Sequence, residues 1–237
     1  MTELSAMGFV HEGVELTGRI ALPEAKGPHP AVMVMHAGLG MSEQMLDKAR
    51  LLAQHGYAAV ATDMYGGGGY CNDSASAGRA MMDLRNAPER LRARAVAWYE
   101  RIKARPDIDS QRMAAIGYCF GGLCVLELAR SGVDVKAVVS YHGLLTTSMP
   151  ARPGDVRGQI AIYAGGKDPY APTEHIETVR QEMTSAGVSF QLMVFSDACH
   201  GFTDPHAGEL GREGIAYDAI ADRVSWAGTL ALLESTL

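Results

Sequence analysis

Met113-Ala-Ala-Ile-Gly-Tyr-Cys-Phe-Gly-Gly-Leu-Cys-Val-Leu-Glu-Leu-Ala-Arg130 is the stretch on which the reading of the chain turns. Met113–Ile116 is a short apolar run of strand type, and Leu123–Arg130 reads as a helix. Between them Gly117 and Gly121 flank Cys119, each two residues away. That is the spacing of a nucleophile elbow, with cysteine where serine usually stands. The central residue of such a turn is forced into a strained backbone conformation, and small neighbours let strand and helix approach closely enough to hold it. Cys119 is then expected exposed at a helix N-terminus, where free N–H groups and the helix dipole stabilise a thiolate. A glycine-rich turn around an inert buried cysteine has the same local sequence, so the rest of the chain must separate the two.

On the N-terminal side, Gly8–Gly18 alternates and runs into Arg19–Leu22, the pattern of an antiparallel pair. Pro23–Pro30 is a loop, and Ala31-Val-Met-Val-Met35 is continuous enough to be a strand buried on both faces. It delivers His36-Ala-Gly-Leu-Gly40. Ser42 is placed to cap a helix running to about His55, and Tyr57–Ala61 gives the next strand. Strand, helix, strand makes a parallel crossover. Asp63–Asp73 is expected to be a mobile loop, Ala77–Leu84 a short helical piece, and Pro88 the first turn of a helix to Lys103 whose apolar stripe includes Trp98.

On the C-terminal side, Val135–Ser140 is a strand ending in Tyr141-His142-Gly143, and Gln159–Tyr163 is a strand ending in Gly165-Gly-Lys-Asp-Pro169. Thr173–Ala186 reads as a helix, Phe190–Phe195 as a strand, and Ala198–Phe202 as the loop beyond it. A last helix is expected from about Gly214 or Tyr217 to Glu234. The fold class is therefore α/β: a mostly parallel central sheet with helices on both faces, in one domain spanning residues 1–237.

Composition bounds the function. With 47% hydrophobic and 20% charged residues the chain is an ordinary globular one, and a net charge of -6 disfavours nucleic acid or an anionic membrane as partner. Met1–Phe9 has no basic stretch leading into a long apolar core, and no apolar run reaches membrane-spanning length, so the expected address is the cytoplasm. Cys71, Cys119, Cys124 and Cys199 are too scattered for a disulfide framework. No HExxH or paired CxxC spacing calls for a metal, and no cofactor is expected. The chain is expected to be a monomer or a weak homodimer acting on a small molecule.

In an open α/β sheet, functional groups collect beyond the C-terminal ends of the parallel strands. That rule brings the 36–40 loop, Cys119, His142, Asp168 and His200 to one rim. Nucleophile, acid, histidine is also the chain order of an α/β-hydrolase triad, and Cys119, Asp168 and His200 fit it. His200 would take the thiol proton and Asp168 would fix its tautomer; the backbone N–H groups of Phe120 and Gly38 are the expected oxyanion donors. His142 is a rival base or a hydrogen-bonded pocket residue. Asp155 and Asp197 are rival acids, the first on the wrong rim and the second only three residues from His200. His36, Ala37, Leu39, Tyr65, Tyr118, His142 and Phe202 are expected around the substrate.

Gly-Tyr-Cys-Phe-Gly-Gly at 117–122, Gly-Lys-Asp-Pro at 166–169 and His-Gly-Phe at 200–202, with Gln54–Val60 and Tyr141-His-Gly143 between them, resemble the dienelactone hydrolase family over about residues 9–235. The resemblance implies an α/β-hydrolase fold without a lid domain and cofactor-free hydrolysis of an ester or lactone by Cys119, Asp168 and His200. Members commonly carry a glutamate at the position of Ala37, which holds the resting thiol. The dienelactone-specific ones place an arginine four residues after the histidine, where this chain has Asp204, and another in the 65–75 loop, which here has none. A neutral ester or lactone is therefore expected in place of an anionic dienelactone. The contrasting expectation is a non-enzymatic ligand-binding or thiol-sensing protein on the same scaffold.

Overall fold

The structure, a computed structural model, describes residues 2–71 and 73–237. Its strands are β1 (Leu4–His11), β2 (Val14–Ala21), β3 (His29–Met35), β4 (Ala58–Thr62), β5 (Ile108–Tyr118), β6 (Ala137–Tyr141), β7 (Gln159–Gly165) and β8 (Phe190–Phe195). Its α-helices are α1 (Glu43–Gln54), α2 (Ser74–Arg85), α3 (Pro88–Lys103), α4 (Phe120–Arg130), α5 (Thr173–Ser185) and α6 (Ala219–Thr236). The strands form one sheet in the order β1-β2-β4-β3-β5-β6-β7-β8. β1–β2 and β2–β4 are antiparallel, and every pairing from β4 to β8 is parallel.

Residues alternate between the two faces, so the continuous apolar run of β3 divides into two cores. Met33 and Met35 join Val60, Ala115, Val138 and Ile162 beneath α3, α4 and α5. Val32 and Val34 join Ala61, Ala114, Ile116 and Val139 beneath α1 and α6. Helices on both faces explain why the central strands carry no polar alternation.

Several expectations need correction. Ser42 stands at the N-cap of α1 in extended conformation, but its side chain makes no capping bond; its carbonyl accepts from Met45 N and Leu46 N. Asp73 caps α2 instead through its carboxylate to Ala75 N and Ser76 N, so that helix starts three residues before the expected Ala77. α6 starts at Ala219 on an Asp218 cap, later than expected. β5 begins at Ile108, five residues before its apolar run, because pairing with β3 at His29 carries the polar Asp109–Arg112 into the strand. The loop after Asp63, expected to be mobile, is tied down over its described residues. The Asp63 carboxylate accepts from Thr17 N, Tyr65 N, Gly66 N and Gly68 N at 2.8–3.2 Å. Tyr70 further along bridges to Gly40.

Candidate active site

β5 delivers Cys119 at φ 53°, ψ -112°, a conformation that L-residues avoid. The glycines around it are required by space. A Cβ on Gly117 would lie 2.0 Å from Gly121 O, and one on Gly121 would lie 2.1 Å from Met35 O. Cys119 N donates to Tyr141 O (3.0 Å), fastening the elbow to β6. The residue is half-buried, less open than the elbow spacing suggested.

Asp168 follows the end of β7 and is 4% exposed; His200 lies in the loop after β8 and is 6% exposed. His200 Nδ1 and Asp168 Oδ2 are 2.8 Å apart, and the second carboxylate oxygen accepts from Tyr170 N at 2.8 Å. The His200 backbone is pinned in turn, its N–H donating to Gly214 O and its carbonyl accepting from Ala216 N. With Nδ1 engaged, the other ring nitrogen of His200 is the one left to serve Cys119. The two titrations are opposed. Burial pushes the Cys119 thiol up, but the charge and hydrogen bond of His200, with the backbone N–H groups of Gly38 and Phe120, bring it below its ordinary value. Burial pulls His200 down, but the Cys119 thiolate and the Asp168 carboxylate carry it to about 10. Each group thus favours the charged form of the other. The N–H groups of Gly38 and Phe120, named above as oxyanion donors, both face the sulfur.

The remaining candidates divide. Tyr65 lies over the site, its hydroxyl donating to Gly38 O (3.0 Å) and its ring 5.4 Å from that of Phe120. Ala37 and Leu39 are half-buried on the same loop. His36 does not present a free edge to a substrate. It is 1% exposed, Nδ1 donates to Ala37 O (2.7 Å) and Nε2 accepts from Met64 N (3.1 Å), while burial holds it below its ordinary value. Tyr118 and Phe202, at 1% and 0% exposed, belong to the core beneath α6, because both point down from the rim. His142 bonds through Nε2 to Thr203 Oγ1 (2.9 Å), and burial, then the charge of His200, holds it well below its ordinary value. Asp197 pairs with Lys167 (2.7 Å), and Asp155 closes a turn on Arg152 N. Neither rival acid reaches His200.

Two neighbours escaped sequence reasoning. The Tyr170 ring lies 4.7 Å from that of His200, and Thr203 holds His142. Tyr170 directly follows the Gly-Lys-Asp-Pro turn, the one signal that could have marked it. Among the described residues no group of three or more His, Cys, Asp or Glu side chains converges as a metal site requires, and no helix is long and apolar enough to cross a membrane.

Known proteins resemble the chain in sequence and fold. The model of the dienelactone hydrolase family matches residues 16–237. A putative carboxymethylenebutenolidase of Yersinia pestis is 31% identical over 202 residues, covering 81% of this chain and 75% of its own. A dienelactone hydrolase-like promiscuous phosphotriesterase from metagenomic libraries superposes with a TM-score of 0.93 at 32% identity, over 99% of this chain and 98% of its own. A putative dienelactone hydrolase from Klebsiella pneumoniae, 24% identical over 99% of both chains with a TM-score of 0.79, shares the fold. On a match covering nearly the whole sequence and a sheet superposed from end to end, the chain belongs to the dienelactone hydrolase family of carboxylic ester hydrolases.

Proposed function

We infer that this protein hydrolyses a small neutral ester or lactone, without a cofactor, through a thioester on Cys119. The observation that carries the reading is the 2.8 Å bond from His200 Nδ1 to Asp168, which leaves the opposite ring nitrogen for the thiol of a strained elbow. The thiolate attacks the carbonyl carbon, and the oxygen that becomes negative accepts from Gly38 N–H and Phe120 N–H. Each such donor is worth ~3 kcal/mol of barrier. Collapse breaks the carbon–oxygen bond, and the His200 imidazolium protonates the departing alkoxide, which for a lactone stays tethered to the acyl group. Neutral His200 then takes a proton from water, the hydroxide attacks the thioester, and the thiolate leaves.

A neutral substrate is favoured by what surrounds the thiol. Asp204 lies near the histidine loop, its N–H bonded to Gly201 O, and the tied-down stretch after Asp63 supplies glycines where a carboxylate would need a cation. Hydrolysis of short aryl esters by wild type, Cys119→Ala and His200→Ala tests the reading: both variants lose turnover by several orders of magnitude, and turnover retained in either overturns it. A second substrate class follows from the phosphotriesterase relative. A phosphotriester is also neutral and also develops negative oxygen under attack, so the same donors serve it. Adding an aryl phosphotriester to the panel, again against Cys119→Ala, separates thiol-dependent turnover from a purely carboxylic specificity.

A further inference from the structure

Between α2 and α3 lies a cavity of about 160 Å³, lined by Tyr65, Ala80, Asp83, Leu84, Arg90 and Arg94. At ~30 Å³ per water, it has room for several waters or one small polyatomic ion. Arg94 is 5% exposed, yet among the described residues no carboxylate lies within ion-pair distance of it or of Arg90. Arg94 Nη1 donates to Met64 O (2.8 Å), while its buried Nε has no partner among the described residues. Among the described residues Arg90 reaches only a neutral acceptor, Asp83 O (2.8 Å). Two arginines and one aspartate, Asp83, thus line one small space, and Asp83 pairs with neither arginine among the described residues, so the lining carries a net positive charge. Burial first, and then the charge of Arg90, pull Arg94 below its ordinary value, against the opposite pull of Asp63 and Glu12. The Asp63 carboxylate, already occupied by four backbone N–H groups, does not reach Arg94 directly.

A buried cation without an ionic partner is costly, and a guanidinium fork matches an oxyanion in geometry as well as in charge. We propose that this cavity binds a small oxyanion, a carboxylate or a phosphate group, held by Arg94 and Arg90 and walled by Tyr65 and Leu84. Cys119 does not line it, so it stands apart from the thiol. Tyr65 connects the two: it lines the cavity, and its hydroxyl and ring meet Gly38 and Phe120, whose N–H groups lower the pKa of the Cys119 thiol.

Thermal unfolding of the whole protein in sodium phosphate, against sodium chloride of equal ionic strength, reads the site directly. A saturable rise in Tm specific to phosphate is expected. Arg94→Met should weaken phosphate roughly tenfold or more, as loss of a charged hydrogen-bond donor does. Arg90→Gln, which removes the more exposed guanidinium, should weaken it too and keeps the test intact should Arg94→Met fail to fold. The source of the oxyanion is separated by kinetics. A free ion changes kcat on a neutral aryl ester without competing with it. An oxyanion carried by the substrate makes phosphate a competitive inhibitor and lowers KM for a carboxylate-bearing ester relative to its neutral isostere, a result that keeps the oxyanion site and overturns the neutral-substrate reading. No phosphate-specific rise in wild type, or a rise that survives unchanged in the folded variants, overturns the proposal. Because Tm needs no turnover, this result is independent of whether the triad assignment holds.

Discussion

Cys119 and His200 shift each other in opposite directions, and Ala37, on the loop that carries Gly38, has no carboxylate to offer the thiol. The thiol deprotonates below its ordinary value and His200 holds its proton up to about 10, so the ion pair forms as pH rises through the first and is lost as pH rises through the second. Inactivation by iodoacetamide should therefore have a midpoint below the free-thiol value of ~8.5, and His200→Ala should move that midpoint upward. A wild-type midpoint at the free value would reject the resting ion pair. Ester hydrolysis should follow a bell whose upper limb falls near pH 10. The glycines give a second residue-scale outcome. Gly121→Ala puts a Cβ 2.1 Å from Met35 O, a backbone atom that cannot swing aside. Overpacking of this kind costs ~1–3 kcal/mol, and here the cost falls on the loop that carries Gly38. Both a lower urea midpoint and a lower kcat are expected.

Among the elements, the segment after β4 governs the shape of the site, and one carboxylate governs that segment. Asp63 O also accepts from Trp98 Nε1 (2.7 Å), so residue 63 links β2, the glycine loop and α3 at once. Hydrogen bonds to a charged acceptor contribute ~1.5–3 kcal/mol each before solvent replaces some of them. Asp63→Ala should cost more than ~2 kcal/mol by urea denaturation and open residues 65–71 to limited proteolysis; an unchanged cleavage pattern would show that the loop holds itself. None of this was legible in the run of glycines, which read as a mobile loop because composition carries no record of a partner from β2. The elbow was legible for the opposite reason. Its constraints are local: close approach of Gly117 and Gly121 to backbone leaves room for no other residue, so spacing exposed the turn, and the rest of the chain had to supply the reading of Cys119. Asp168 and His200 were legible through topology, since every parallel strand ends at the same rim. His36 and Tyr118 were misplaced because rim position does not say which way a side chain points: His36 turns inward to Met64 N, and Tyr118 stacks on Tyr141 beneath α6.

At the scale of the whole molecule, the helices over the α3–α4–α5 face are joined by charges as well as by apolar contact. Arg130, with its side chain fully enclosed, donates to both oxygens of Glu182 on α5 at 2.8 Å and to Glu127 one turn back on α4 at 2.9 Å. Arg92 on α3 completes the group through Glu127 Oε2 (2.7 Å) and Met149 O (2.8 Å), and Ala151 N donates to Glu182 Oε1 (2.7 Å). Two positive and two negative side chains thus neutralise one another while binding three helices and the 149–151 segment, which lies a few residues beyond Leu144, itself bonded to Cys119 O. Sequence separations of 35 and 52 residues hid this group, whose members look like ordinary surface charges on their own helices. Its energetics are asymmetric. A buried pair adds little over a well-packed apolar replacement, but removing one partner strands the other and costs ~3–5 kcal/mol. Arg130→Met should therefore cost about that much by urea denaturation, because Glu182 and Glu127 both lose their enclosed donor. The double variant Arg130→Met, Glu182→Leu should recover part of the loss, since only Glu127 is then left and Arg92 still reaches it. If the double variant is as unstable as the sum of the two singles, the charges act separately, and the face is held by apolar packing alone.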